Sequence, residues 1–385
     1  MIPNHLLCSG CRFFQIIGTG YVGVRPEISR HDGASMRLGK ISENVLKRSV
    51  LKKIQTHRKE VISGAGIGED CAILVSREGY ETVLSTTPVT APAEKISTYA
   101  IAMALNNIAA AGAEPVGVML SVLLPEETEE SDLQHIMEQA QAVCSECGAE
   151  ILGGHTEVTP VVPVPVMTVS GVGRREAARA GSLRGIKANQ DIVVSKWIGL
   201  EGTSRLAVKY REKLCTRYPA RMIDEAAAYD KYLSVIPEAA TAVKSGVCGM
   251  HDVSRGGIFG ALWELAQRAG VGLEIDLKKI PVKQETIEIC EFFELNPYEL
   301  LSGGCLIMVT ESGQILEDAL KREGIPAAVI GRTTDGNGRL IYNEDEKRYL
   351  DRPKMDQMYS VYLRMEENKN HERRIIGDRG KEQPY

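Results

Sequence analysis

Apolar positions along this chain alternate between a period near 3.6 and runs of strand type, so the pattern predicts helices and strands in alternation. Val45, Leu46, Ser49, Val50 and Ile54 share one side of a helix for which Ser42 is the N-cap. Strands follow at Ile73–Val75 and, after a turn at Gly79, at Glu81–Thr86. Glu94–Ala111 reads as a helix that is apolar apart from Asn106-Asn107, a costly place for amides unless they are paired. Val116–Leu124 predicts a buried strand, Thr128–Cys147 an amphipathic helix, and Gly148 its stop. Ile151-Leu152 predicts a short strand breaking at Gly153-Gly154, and Val161–Gly173, with prolines at 163 and 165, an edge or barrel strand.

The second half opens with a strand at Asp191–Ser195, then a loop Gly199–Ser204 before a helix from about Arg205, and a helix Met222–Leu233. Ile258, Leu262, Leu265, Ala266 and Ala269 form the apolar stripe of another helix. Strands at Leu273–Leu277, Cys305–Thr310 and Ala327–Gly331 interleave with helices at Gln284–Phe293 and Gln314–Glu323. Such alternation predicts an α/β protein with mixed sheets. Residues 1–35 lack sustained periodicity and read as an extension, disordered or upstream of a start at Met36. The connection Arg174–Asn189 divides a domain at 36–175 from one at 186–350, and 351–385 reads as a charged tail, disordered from about Glu366.

At 385 residues the chain accommodates two full cores. A net charge of −5 argues against nucleic acid as a partner. The longest apolar stretch, Ala100–Ala113, is interrupted by two asparagines, so no membrane span is expected. Nine scattered cysteines do not resemble a secreted disulfide framework and point to the reducing cytoplasm. Cys8/Cys11 and Cys144/Cys147 have metal-ligand spacing, but the second pair lies on the apolar side of a predicted helix, as core thiols do.

Chemistry concentrates in four stretches. In His251-Asp252-Val253-Ser254-Arg255-Gly256-Gly257, paired glycines precede a helix, whose free N–H groups and dipole suit a phosphate. Asp252 is placed to carry a cation for it; a plain turn, with Asp252 capping the helix, is the structural alternative. Gly68-Glu69-Asp70 sets a carboxylate at the mouth of a strand, where it would ligate a cation or simply close a turn. Asn106-Asn107 and Gly153-Gly154-His155-Thr156 supply polar groups within otherwise apolar elements.

In this order, with Gly112-Ala113-Glu114-Pro115 after the asparagines, these stretches resemble the AIR synthetase-related superfamily over about residues 36–345, and most of all its HypE-type hydrogenase maturation factors. The resemblance implies a homodimer whose N-terminal domains form a β-barrel, a C-terminal α/β domain with a mixed sheet, and ATP between the domains. It implies nucleotide contacts from Gly68, Asn106, Asn107, Gly153, Gly154, His155, Thr156, Gly256 and Gly257, and Mg²⁺ ligation by Asp70 and Asp252. Thr87 and Asn107 stand where the family has carboxylates, which lowers the charge available to a cation. His251 and Lys40 are the catalytic candidates. Lys40 matches the lysine of selenophosphate synthetase, although Arg37 occupies the place of that enzyme's nucleophile. HypE carries a C-terminal cysteine, whereas the last cysteine here is Cys305.

The function this implies is ATP-dependent phosphoryl transfer to a carboxamide or carboxylate oxygen in a maturation or biosynthetic step, with a protein partner in that pathway. Two alternatives stay open: a nucleotide-binding regulatory protein without turnover, and a small-metabolite kinase or ligase of thiamine-monophosphate-kinase type.

Overall fold

Eleven-residue strands dominate the first half. β1 (Gly39–Lys40), β4 (Tyr80–Thr90), β5 (Glu114–Leu124), β6 (Glu150–Val158) and β7 (Val166–Glu176) form one sheet in the order β1-β6-β5-β7-β4, while β2 (Val61–Ser63) and β3 (Ile73–Leu74) pair separately. The computed structural model describes residues 39–40, 43–63, 73–74, 79–176, 185–351 and 356–365, all within one compact unit, Ser35–Tyr385. The N-terminal extension and the residues from 366 onward lie outside the described residues.

One face of this sheet is covered by α2 (Ile96–Ala110) and α3 (Glu130–Glu146), with the short α1 (Glu43–Val45) continued by a π turn at Leu46–Val50. Alternate residues of β5, Val118, Leu120, Val122 and Leu124, point into the core with Ile101, Leu105, Leu133 and Ile136 from the helices. The parallel β5–β6 pair is joined through α3, the crossover a parallel pair requires. Two expectations are corrected here. Gly153-Gly154 do not break the strand: β6 runs through them, and a Cβ on Gly154 would lie 1.9 Å from the Leu120 carbonyl oxygen, so the glycine permits close approach of β5. Nor is the segment Val161–Gly173 an edge: the prolines precede β7, which pairs with both β4 and β5.

The second sheet has seven strands: β8 (Asp191–Ser195), β9 (Gly249–Val253), β10 (Gly272–Asp276), β11 (Cys305–Thr310), β12 (Ala327–Thr334), β13 (Arg339–Asn343) and β14 (Glu346–Tyr349). Its order is β14-β13-β10-β12-β8-β11-β9, mixed because β10 and β13 run parallel. The helices are α4 (Leu200–Lys209), α5 (Arg211–Leu214), α6 (Ala220–Ala227), α7 (Ile236–Lys244), α8 (Gly257–Ala269), α9 (Gln284–Phe292) and α10 (Gly313–Arg322). On one face Ile258, Leu262 and Leu265 of α8 meet Val253, Ile307 and Val309. On the other, Met250, Leu306 and Met308 meet Ala239 and Ala242 of α7, Leu316 and Leu320 of α10, and Ala109 and Ala110 from the end of α2.

The expected loop Gly199–Ser204 is helical from Leu200, because Gly199, in the left-handed region at φ 73°, is already the N-cap of α4. Residues 357–365 of the charged tail form a helix that inserts Met358 and Val361 among Leu206, Leu214, Ile289 and Leu300. Among the described residues no helix is long and apolar enough to cross a membrane. Both halves are thus mixed α/β layers.

Candidate functional site at the junction of the two sheets

The end of β9 is where the two halves of the molecule meet. Successive side chains of a strand face opposite ways, so His251 and Asp252 separate. His251 turns towards α8 and lies 3.1 Å from Glu264. Asp252 shares the face of Met250, on which α2 packs, and is 6% exposed. Its Oδ1 has no hydrogen-bond partner. Burial pushes the carboxyl up to about 7, with Glu201 adding to the rise and His251 and Lys196 opposing it.

Polar ties from the first half converge on the same place. Asn107 donates to the Thr87 hydroxyl at 3.3 Å, joining the two positions at which the resemblance implies carboxylates in the family. Arg255, three residues after Asp252, donates to the Pro88 carbonyl at 2.8 Å. Asn106 is engaged at both ends of its amide: its nitrogen donates to Leu233 O at 2.8 Å and its oxygen accepts from Val235 N at 2.9 Å. The buried amide therefore fastens α2 to the second half.

The third stretch reaches this region through the sheet. Gly154, Leu120, Val169 and Thr87 form one transverse row across β6, β5, β7 and β4. His155 begins the next row, with Ser121, Thr168 and Pro88, on the open face of the sheet, where it lies 3.3 Å from Glu157. Thr156 alternates to the covered face and is buried. Lys40 lies in register with Glu157 on β1. Gly68 and Asp70 lie outside the described residues.

The glycine turn before α8 has the shape the sequence indicates, with φ of 80° at Gly256 and 62° at Gly257. A Cβ on Gly257 would come 2.4 Å from the Tyr298 carbonyl oxygen, so only glycine fits. The carboxylate at this turn is not Asp252, which belongs to the strand. It is Asp356, whose Oδ2 accepts the Gly256 N–H at 2.7 Å while Oδ1 accepts from Met358 N at 2.8 Å. Burial raises the Asp356 carboxyl, and these N–H donors oppose the rise.

Sequence reasoning missed Glu201, Lys196 and Asp356. Glu201 is buried, with Oε1 paired to Arg205 at 2.6 Å but without the alignment of a hydrogen bond. Burial raises its carboxyl, while Arg205 opposes the shift. A Cβ on Gly303 would meet its Oε2 at 2.1 Å, so a larger residue there would have to displace the buried carboxylate. Lys196 pairs with Glu238 at 2.5 Å and donates to the carbonyls of Tyr232 and Ser234. The only available signal was charge within glycine-flanked apolar stretches, which spacing alone does not distinguish from a solvated loop.

Family models for the AIR synthase related protein match both halves, the N-terminal domain over residues 68–174 and the C-terminal domain over 187–343. The chain belongs to the AIR synthase-related superfamily. It is 26% identical over 338 residues to a protein of Methanocaldococcus jannaschii named for hydrogenase expression/formation, covering 85% of this chain and 97% of that one. It is 28% identical over 252 residues to the carbamoyl dehydratase HypE of Rhodobacter capsulatus, covering 64% and 72%. A crystal structure of the hydrogenase maturation protein HypE in complex with ATP superposes with a TM-score of 0.70 at 19% identity, covering 85% of this chain and 98% of that one.

For a member of this superfamily the cation question turns on Asp252. An aspartate oxygen that is buried, unpaired and beside a glycine turn fits a divalent cation, because leaving it bare costs about 1–3 kcal/mol. Thr87 and Asn107 would offer only neutral oxygens, which magnesium accepts more weakly than carboxylates.

Proposed function

We propose that the protein binds ATP with Mg²⁺ at this junction and transfers the γ-phosphoryl group to the oxygen of a carboxamide or carboxylate, as a HypE-like enzyme of a maturation or biosynthetic step. The names of its relatives support the reaction class, and the bare Oδ1 of Asp252 is the observation that carries the site. When bound, Mg²⁺ would neutralise phosphate charge in the transition state. Asp252 would hold it from β9, with Asp70 and the Thr87 and Asn107 oxygens as further ligands. Arg255 fixes the strand end of β4 against the β9 turn, and Gly256-Gly257 leave room for an anion to approach the backbone.

Phosphorylation of a carboxamide oxygen makes that oxygen a leaving group, so its departure as phosphate dehydrates the amide. Alignment and charge neutralisation supply most of the catalysis, and a strong base is not required. His251, held by Glu264, faces α8 rather than Asp252.

The test is turnover of γ-labelled ATP by the full chain against a panel of carboxamides and carboxylates, with Asp252→Asn beside it. Substrate-dependent phosphate release that Asp252→Asn abolishes supports the reading. Mg–ATP binding without any turnover favours the regulatory alternative, for which the neutral Thr87–Asn107 pair is the specific observation.

We also infer a homodimer formed through the open face of the first sheet. That face carries Leu84, 72% exposed, on the edge strand β4, together with the exposed Ser121 and His155. A monomer by light scattering at micromolar concentration refutes this. The cytoplasm and a protein partner in the same step complete the proposal.

A further inference from the structure

Away from the junction, α6, the turn after it and the start of α9 line an open pocket of about 640 Å³. Its wall holds an ammonium in an unusual setting. Lys283 Nζ lies 4.2 Å from the ring centroid of Trp197, 5.4 Å from Tyr229 and 5.9 Å from Tyr232. Trp197 and Tyr232 meet edge to face at 5.6 Å, and Tyr229 lies tilted against Tyr232 at 6.1 Å, so the rings brace one another around it. Aromatic faces attract a cation, which holds this ammonium in place where it lines the pocket. A second ammonium, Lys231, lies 5.0 Å from Tyr232.

The carboxylates of the wall are already engaged. Glu225 takes Arg221 at 3.0 Å, Asp224 takes Arg211 at 2.9 Å, and Glu285 accepts the Tyr229 hydroxyl. Glu285 also feels the field of Lys283. Among the described residues, neither Lys283 nor Lys231 forms a salt bridge; Glu285 keeps its own negative charge, but two ammonium groups against that one uncompensated carboxylate leave the wall net positive. A cationic ligand would have to evict Lys283 from the rings; an anion finds it in place.

We propose that this pocket binds a small planar anion, a ring bearing a phosphate or carboxylate, with Lys283 and Lys231 on the anionic group and the ring against Tyr232. The site is separate from the proposed ATP site, although both use one segment: the Tyr232 carbonyl receives Lys196 on the junction side, while its ring lines the pocket.

Phenyl phosphate titrated calorimetrically into the full chain tests this, with inorganic phosphate and phenol as half-ligands. Saturable one-to-one binding is expected, at least tenfold tighter than either half. Lys283→Met should weaken it tenfold or more, Lys231→Met by less, and Lys283→Arg should retain most of it. Asp252→Asn should leave it unchanged, which separates this site from the failure or success of the ATP proposal. No saturable binding, equal affinity in Lys283→Met and Lys231→Met to the parent, or loss of binding in Asp252→Asn would each overturn the proposal.

Discussion

The Asn107 amide donates to the Thr87 hydroxyl at 3.3 Å across the gap between α2 and β4. The resemblance implies carboxylates at both positions in the family, so on that reading their neutral contact replaces what would otherwise be two like charges gathered by a cation. Restoring one acid at a time should therefore strengthen the cation site without adding that repulsion. Asn107→Asp, on the exposed side of α2, should tighten Mg²⁺-dependent ATP binding by about 1–2 kcal/mol. Thr87→Asp should do so at some cost in stability, because Thr87 is buried. Calorimetry with and without Mg²⁺ decides, and unchanged Mg²⁺ dependence in both variants would remove these residues from the site.

Asp252 gives the same site a pH signature. Its folded pKa is raised to about 7 from an ordinary 3.8, so the fold keeps a proton that the unfolded chain releases. The sign follows from proton linkage: this group's contribution is most favourable below pH 4 and is lost as pH rises towards 7. A cation competes with that proton, so Mg–ATP affinity should climb between pH 6 and pH 8, by at most about tenfold per pH unit below 7. Asp252→Asn should abolish the climb and weaken Mg–ATP binding at pH 8 by about 1–3 kcal/mol. If the variant keeps the parent's pH profile, Asp252 is not the ligand.

Lys196 and Glu238 are both less than 10% exposed and 2.5 Å apart. Removing one partner strands the other charge, so Glu238→Gln should cost about 3 kcal/mol. Replacing both, as Lys196→Met with Glu238→Leu, should cost less than the single change, since no buried charge remains. Urea melts of the three proteins read this directly; a more stable single variant would contradict it.

Asp356 ties the tail back to the glycine turn, 100 residues earlier in the chain. Asp356→Ala leaves the Gly256 and Met358 N–H groups without their acceptor and should lower stability by about 1–3 kcal/mol. Ending the chain at Leu350 should cost more, because Met358 and Val361 then leave the core as well. Thermal melts would show an unchanged midpoint if the tail were a bystander.

Local patterning made much of the fold legible. The stripe Ile258, Leu262, Leu265 and the alternation in β5 state a face and a period, and the structure uses both as written, since burying one face is a local property of the sequence. Glycines before α8 are legible too, because a left-handed φ restricts the residue type at that position. The family resemblance extended this to the order of the site motifs.

What only the tertiary structure decided is which partners those residues have. Gly154 is required by the Leu120 carbonyl of a neighbouring strand, not by a break in its own. The acid at the α8 turn comes from Asp356 rather than Asp252, and His251 is turned away from its chain neighbour by strand alternation. Glu201 and Lys196 look like loop charges in the sequence, yet they are buried at the meeting of two sheets. Periodicity reports how a segment meets the interior; it carries no information on which distant segment supplies the opposing charge or hydrogen bond, and that long-range pairing is what assembles the site.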